Sequence, residues 1–288
     1  MPTRNQEQRE YARARSKHSV SLAAAGLCIA LTIGSIRPAA AIEPGFEPIP
    51  ADPALVLTAP SKWQFDVAFG LLGATNYISR GITNSGNNPT IQGYVEPSFG
   101  PLYVSVWSSN VDFGPDYIGA EIDVGAGVRP EFGPLKLDFG YVHYFYAPES
   151  VSPDYGELYA KADYDVLGLF TVGGRLFFAP DFNQSGKTAT FVAGGAEVPL
   201  PYDFSFLAGI GYQFFEDPDA HEQLTWTAAL SYSWKSLTFG LQYWDTDLSN
   251  KACVVRSGFA DGCDPRIMAT VSIDSSWSQL KNLKFGKE

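Results

Sequence analysis

The chain has 288 residues and a net charge of −11, with 20 basic residues against 31 acidic ones. An acidic chain lacks the basic surface that nucleic-acid phosphates require, so nucleic acid is excluded as a partner. Once an amino-terminal leader is set aside, the remaining length suits one barrel-sized domain.

Residues 1–41 form a predicted secretory signal peptide. A start rich in arginine precedes an apolar run over 20–36, and three alanines at 39–41 offer a small-residue cleavage site. The alternative is an uncleaved membrane anchor, for which the apolar run is barely long enough. Cleavage would remove six basic and two acidic residues, leaving 14 basic and 29 acidic residues and a net charge of −15.

Residues 42–61 contain five prolines, which obstruct both helices and sheet ladders. This composition predicts an extended periplasmic linker. It precedes a predicted barrel over residues 62–277, and residues 278–288 are predicted to be a periplasmic tail.

The barrel segment alternates apolar and polar residues with a period of two, in stretches long enough to cross a membrane as strands. In Gln223–Trp234 the even positions are apolar or aromatic, and the odd positions are glutamine, threonine, alanine and serine. The twelve predicted strands are Trp63–Leu72, Thr90–Phe99, Leu102–Asn110, Tyr117–Glu131, Leu135–Tyr146, Tyr155–Val166, Phe170–Phe178, Thr188–Val198, Phe204–Phe214, Gln223–Trp234, Leu237–Asp245 and Arg266–Trp277.

The connections between these strands alternate strictly between long and tight. The long ones are 73–89, 111–116, 147–154, 179–187, 215–222 and 246–265. Tight periplasmic turns and long extracellular loops are typical of outer-membrane barrels. We therefore expect an antiparallel transmembrane β-barrel of about 12 strands in the outer membrane of a Gram-negative bacterium, in contact with outer-membrane lipids and the outer-membrane assembly machinery. The segment 73–89 could hold a further hairpin, which would widen the barrel.

A soluble sandwich or lipocalin-like barrel is the alternative, with its apolar faces turned inward. Aromatic residues near the strand ends favour the membrane interpretation, because such residues form girdles at membrane interfaces. The predicted extracellular girdle consists of Tyr117, Tyr144, Tyr146, Tyr155, Phe177, Phe178, Phe214, Phe215, Tyr243 and Trp244.

In a membrane barrel the faces opposite the apolar ones line the interior. The predicted pore-lining acids are Asp66, Glu96, Glu121, Asp123, Asp138, Glu157, Asp163, Asp165, Glu197 and Asp274, and the bases are Arg129, Lys136, Lys161, Arg175 and Arg266. Ten acids against five bases predict a negative interior that attracts cations. The alternative is that these charges pair and fill the barrel.

Polar residues at the predicted extracellular rim are candidates for a constriction or a ligand-selecting mouth. They are Arg80, Asn110, Asp112, Asp245 and Asp247. The other interpretation is that their hydrogen bonds hold the rim loops together.

Several phrases make the chain recognisable: TNYISRGIT at 75–83, IQGYVEPSFG at 91–100, VWSSNVDFG at 106–114, GYVHYFYAP at 140–148 and QYWDTD at 242–247. With them the chain resembles the TorF-type porin family of proteobacteria, also catalogued as the conserved hypothetical Gcw family. The resemblance implies an outer-membrane porin and no known substrate or catalytic residue. The chain departs from outer-membrane proteins in general, which end on an aromatic residue, since it continues to Glu288.

Cys253 and Cys263 lie in the last long loop and are the two cysteines that follow the signal peptide. An even count in an oxidising compartment predicts a disulfide. A calcium site at Asp245, Asp247, Asp261 and Asp264 is the less favoured interpretation of an acidic loop whose spacing fits no EF-hand.

No cofactor or metal is expected. The functional hypotheses are a porin-like channel for small hydrophilic solutes and, as alternatives, a non-transporting structural or adhesin-like barrel or an outer-membrane lipid hydrolase. The hydrolase is disfavoured because His143 has no nucleophile beside it on its strand face. His221 lies among acids in a loop. The sequence leaves the oligomeric state open.

Overall fold

A computed structural model describes residues 63–114, 118–147 and 154–282. The predicted signal peptide and linker, and residues 283–288 of the predicted tail, lie outside the described residues. The strands are β1 Phe65–Ala74, β2 Ile78–Ser79, β3 Ile82–Thr83, β4 Thr90–Phe99, β5 Leu102–Asp112, β6 Ile118–Val128, β7 Glu131–Phe132, β8 Leu135–Ala147, β9 Tyr155–Val166, β10 Phe170–Ala179, β11 Ala189–Leu200, β12 Phe204–Phe215, β13 Gln223–Trp234, β14 Leu237–Thr246 and β15 Arg266–Ser276.

Three short helices accompany the strands. A 3₁₀ helix covers Phe182–Gln184, α1 covers Asn250–Ser257 in the last long loop, and α2 covers Trp277–Asn282 at the end of β15. Within the described ranges, none of the helices has the length and apolar character needed to cross a membrane.

The twelve long strands close into one antiparallel barrel. Each long strand pairs with the next along the chain, and β1 closes the ring by pairing with β15, with Gly70 opposite Asp274. The predicted twelve strands are confirmed, with bounds that agree to within three residues. The tight turns use backbone conformations that suit hairpins: Leu167 and Gly168, between β9 and β10, both have positive φ, at 59° and 71°.

The barrel is apolar outside and polar inside. In β5 the outward Leu102, Val104 and Val106 are 39–48% exposed, whereas the alternate Tyr103 and Ser105 are 4% exposed. A soluble barrel would show the reverse pattern, because exposed apolar surface on this scale is stable only in contact with lipid or protein. The fold is therefore a transmembrane β-barrel.

Many aromatic residues face inward, which corrects part of the predicted girdle. Phe178, Phe214 and Tyr243 are exposed on the outer surface as expected. The prediction was wrong for four residues that point into the barrel and are at most 8% exposed: Tyr144, Tyr146, Phe177 and Trp244. Their adjacency in sequence to outward aromatics hid this, since neighbours in a strand face opposite sides.

Candidate functional site

The segment between β1 and β4 folds into the barrel. Its two short strands, β2 and β3, pair with each other as Ile78 with Thr83 and Ser79 with Ile82, in a sheet separate from the barrel wall. Ile78 and Thr83 are completely buried. We call residues 77–84 the inner hairpin. The hairpin suspected in this segment therefore exists, but it fills the barrel instead of widening it.

Polar side chains hold the base of the inner hairpin. Asn76 Oδ1 accepts hydrogen bonds from Thr83 Oγ1 at 2.6 Å and from Ser85 Oγ at 2.9 Å. Backbone N–H groups complete the base: that of Tyr77 donates to Ser85 Oγ at 2.9 Å, and that of Asn84 donates to the Tyr77 carbonyl at 2.7 Å. These bonds within the segment stabilise the hairpin, whose two strands pair with each other and not with the strands of the barrel wall.

The turn of the inner hairpin is unusual in its residue choice. Arg80 and Gly81 both have positive φ, at 51° and 83°. Glycine suits this conformation, whereas a long side chain at positive φ is uncommon and costs about 1 kcal/mol. Gly81 also lies against the wall, because a Cβ there would be 2.5 Å from Thr225 Oγ1.

Arg80 crosses the interior and binds the opposite wall. Its Nη1 and Nη2 donate to the two carboxylate oxygens of Glu157 at 3.1 and 2.6 Å, and Nη1 also donates to Gln213 Oε1 at 2.7 Å. The guanidinium lies 4.6 Å from the ring centre of Phe191. Gln223 donates a further hydrogen bond to the Arg80 carbonyl.

Burial and charge set the state of this arginine. Burial alone would lower the pKa of Arg80, but the Glu157 carboxylate, together with Tyr155 and Tyr144, raises the pKa above its ordinary value. Arg80 is therefore a fixed cation. Glu157 also accepts a hydrogen bond from the Tyr144 hydroxyl at 2.8 Å. Glu121 and Asp123 of β6 are also buried on the inner face.

A second charged layer lies nearer the tight turns. Arg129 donates from Nη2 to Glu96 at 3.0 Å and from Nε to Asp138 at 3.3 Å, and its guanidinium stacks 3.6 Å from the ring centre of Tyr103. The Tyr103 hydroxyl donates to Asp138 at 2.7 Å, and Lys161 Nζ is 3.9 Å from the same carboxylate. We call these five residues the lower charge layer. Here the predicted pore charges pair, as the alternative interpretation stated.

The remaining predicted pore-lining residues fall into three groups. Arg175 pairs with Asp163 at 2.8 Å, and Asp274 is buried on the inner face with Tyr94 beside it. Lys136 and Glu197 are half-buried at inward register positions. Three lie at the ends of the barrel: Asp66 accepts from the backbone and hydroxyl of Ser278 in α2, Asp165 caps the turn at Gly168, and Arg266 donates to the Asp264 carbonyl.

The other predicted rim residues hold loops in place. Asn110 is exposed and accepts from Thr90 Oγ1 and from the Ile91 N–H, both at 2.9 Å. Asp112 accepts from Asn88 at 3.1 Å. Two other acids bind locally: Asp245 accepts from Tyr243, and Asp247 from the Leu224 N–H. Of the five candidates, Arg80 is the one that reaches across the interior.

The last long loop forms a cap above the inner hairpin. Cys253 of α1 and Cys263 form the predicted disulfide, with Cα atoms 5.8 Å apart. The two cysteines pack on Ile82, and the Thr83 N–H donates to the Gly262 carbonyl at 2.9 Å. The loop thus rests directly on the hairpin.

The same cap also holds a cation against aromatic side chains of the barrel. Arg256 of α1 lies 4.4 Å from the ring centre of Phe215 and 5.9 Å from that of Phe182. Burial, and to a smaller extent the charge of Arg80, lower the pKa of Arg256 to about 10.

Sequence reasoning missed the inward placement of the hairpin, and it missed the cap. Two signals were present: Arg80 is the one basic residue of its loop, and it precedes a glycine at a tight turn. His143 lies among outer aromatics, 4.5 Å from Phe145 between ring centres.

The fold and this interior define a transmembrane β-barrel with an inward-folded loop. A family model described as a bacterial protein of unknown function (Gcw_chp) matches residues 58–274, so the chain belongs to that family. A search of curated proteins found no significant match.

Solved outer-membrane channels are similar in outline. A KdgM porin aligns with 73% of this chain and 97% of its own, at 10% identity and a TM-score of 0.47. A NanC porin covers 73% and 98%, at 13% identity and 0.46. The COG4313 outer membrane channel from Pseudomonas putida F1 covers 76% and 96%, at 10% identity and 0.41. Because these TM-scores are below 0.5, the assignment of the fold rests on the strand pairing of this chain.

Proposed function

We propose that this protein is a porin-like channel of the Gram-negative outer membrane that passes small hydrophilic solutes by passive diffusion. The observation that carries the proposal is the inverted barrel, apolar toward the lipid and lined inside with ionised residues, with a loop folded across its interior at Arg80. Apolar side chains would pack the interior better, because buried charges are costly. The charged interior therefore favours a role other than packing. The narrower likeness to TorF-type porins belongs to the same proposal.

We further propose a preference for cations. The formal charges of the lower charge layer balance, with Glu96 and Asp138 opposite Arg129 and Lys161. Higher in the barrel, Glu121, Asp123 and Glu157 are buried on inner faces, and Glu157 pairs with Arg80. Such an excess of carboxylates attracts cations and slows anions.

Single-channel recording of the purified full-length protein in planar bilayers tests both proposals. We expect discrete conductance steps, and a reversal potential in a KCl gradient whose sign reports K⁺ preference. Chloride preference would overturn the cation proposal. If neither the natural protein nor a variant lacking residues 77–84 conducts ions or admits small sugars into liposomes, the channel proposal is wrong.

A non-transporting barrel is the second candidate, and one observation favours it. Aromatic and aliphatic side chains meet inside the barrel in one buried cluster that includes Tyr77, Trp107, Phe177, Phe191 and Leu207. A filled interior is what a purely structural barrel would have. Solute entry into liposomes separates the two functions.

A further inference from the structure

We propose that the inner hairpin is the gate of the channel and that the Arg80–Glu157 ion pair is the latch that holds it closed. The proposal rests on the proposed channel function and adds the means by which the passage opens.

The inner hairpin closes the middle of the barrel. Its Tyr77 is 2% exposed and packs against Trp107, with ring centres 5.5 Å apart, inside the same buried cluster as Phe177 and Phe191. Its tip contacts the wall opposite its root, because β10 lies six strands from β1 in either direction around the ring. In this proposal the docked tip blocks solutes at this level.

The barrel wall does not depend on the hairpin. The twelve long strands close by their own pairing, and β2 and β3 form a separate sheet. The root is tied by backbone hydrogen bonds from Thr75 N to the Ala269 carbonyl at 3.0 Å and from Asp112 N to the Asn84 carbonyl at 2.8 Å. A root fixed by backbone bonds and a tip held mainly by side chains is the arrangement of a hinge and a catch.

The contacts of the Arg80 side chain, and not the backbone conformation, explain why an arginine occupies this turn position. Asparagine or glycine would satisfy a turn with positive φ at lower cost. The arginine is instead matched to Glu157 and Gln213, groups that lie on the far wall. Backbone strain maintained by a specific contact is typical of functional switches. When the contact breaks, the strain favours release of the tip.

The cap limits how far the hairpin moves. Thr83 is bonded to Gly262, and Ile82 packs on the disulfide, so the second strand of the hairpin stays with the cap. The moving part is therefore the tip around Arg80 and Gly81, which withdraws from β9 and β13. A narrow passage opens along the far wall.

Charge variants of the latch test this. Arg80→Ala removes the ion pair, Arg80→Lys retains the charge, and the exchange variant Arg80→Glu/Glu157→Arg restores a pair with reversed polarity. We expect Arg80→Ala to raise the open probability in planar bilayers by about tenfold or more. The exchange variant should return toward the natural value, and Arg80→Lys should lie between.

A disulfide lock tests the movement itself. A Cβ at Gly81 would lie 3.2 Å from the Thr225 Cβ, a few tenths of an ångström shorter than the roughly 3.5–4.5 Å spacing of disulfides, so a small shift of the tip accommodates the bond. In the Arg80→Ala background, Gly81→Cys/Thr225→Cys should close the channel when oxidised and reopen it on reduction. Arg80→Ala alone under the same reductant controls for the Cys253–Cys263 disulfide.

Hydrogen exchange of residues 77–84 gives a readout that needs no current. Faster exchange in Arg80→Ala together with higher conductance is the expected result. Unchanged exchange, with channels that conduct like the natural protein, would overturn the gate and leave the channel function standing. Faster exchange without any conductance in any variant would overturn both.

Discussion

Arg80 and Glu157 are 77 positions apart in the chain, yet their side chains meet inside the barrel through two hydrogen bonds of 3.1 and 2.6 Å. This pair joins a loop rooted beside β1 to a strand on the opposite wall. The strands of the barrel pair in chain order around the ring, and this ion pair adds a contact that crosses the interior. The effect of breaking this contact can be measured in stability as well as in conductance.

Glu157→Gln is expected to destabilise the barrel. Glu157 is completely buried and is paired with Arg80, so the amide leaves a buried guanidinium without its counter-charge. Removing one partner of a buried ion pair typically costs about 3–5 kcal/mol, which is an upper limit here because glutamine retains some hydrogen bonds. Denaturant unfolding in lipid vesicles, followed by tryptophan fluorescence, measures the change. The matched control is Glu197→Gln, at a half-buried position of β11. Equal midpoints for both variants would contradict the expectation.

The barrel was predictable from sequence because its signal is local. Alternation in β5 and β13 reports which side chains face lipid, and the lengths of the connections report the side of the membrane. The hairpin 77–84 was not predictable in the same way. Its burial depends on Glu157 and Gln213, whose proximity to Arg80 follows only from ring closure.

The inward aromatics show a second limit. Phe177 and Phe178 are adjacent and equally apolar, but they are 1% and 36% exposed. Composition groups both into a girdle, whereas the pleat separates them. An apolar residue in a strand predicts lipid contact only where the barrel interior is polar. Where the interior holds an aromatic cluster, apolar residues occur on both faces of the strand.

Arg129→Gln is expected to increase cation selectivity. The substitution removes the cation between Glu96 and Asp138, so that Lys161 alone compensates the two carboxylates and a net negative charge acts on permeating ions. The reversal potential in a KCl gradient should shift further toward the K⁺ equilibrium potential. Lys235→Gln, in the tight turn between β13 and β14, removes the same charge outside the interior and serves as the control. An identical shift in both variants would show that the lower charge layer does not set selectivity.

The paired substitution Cys253→Ser/Cys263→Ser is expected to loosen the cap without opening the barrel wall. The disulfide closes a sequence separation of 10, which corresponds to about 2–3 kcal/mol in the chain-entropy model. Its loss should speed hydrogen exchange at Thr83, whose N–H donates to Gly262 beside Cys263. Exchange in β12 should stay slow, since that strand is held by its own ladder with β11 and β13. Slow exchange at Thr83 in the variant would mean that contacts other than the disulfide hold the cap in place.

Ile210→Arg tests the lipid-facing surface directly. Ile210 is 54% exposed in the middle of β12, while Leu207 on the inner face of the same strand is 2% exposed. A charged side chain on the lipid face costs about 2–4 kcal/mol near the bilayer midplane and about 0–1 kcal/mol near the interfaces. The variant should therefore fold less stably into vesicles than Tyr202→Arg, a control at a tight turn where the side chain is 88% exposed. Unfolding in lipid vesicles measures the difference. If both variants lose the same stability, the outward face of β12 does not lie in the hydrocarbon layer.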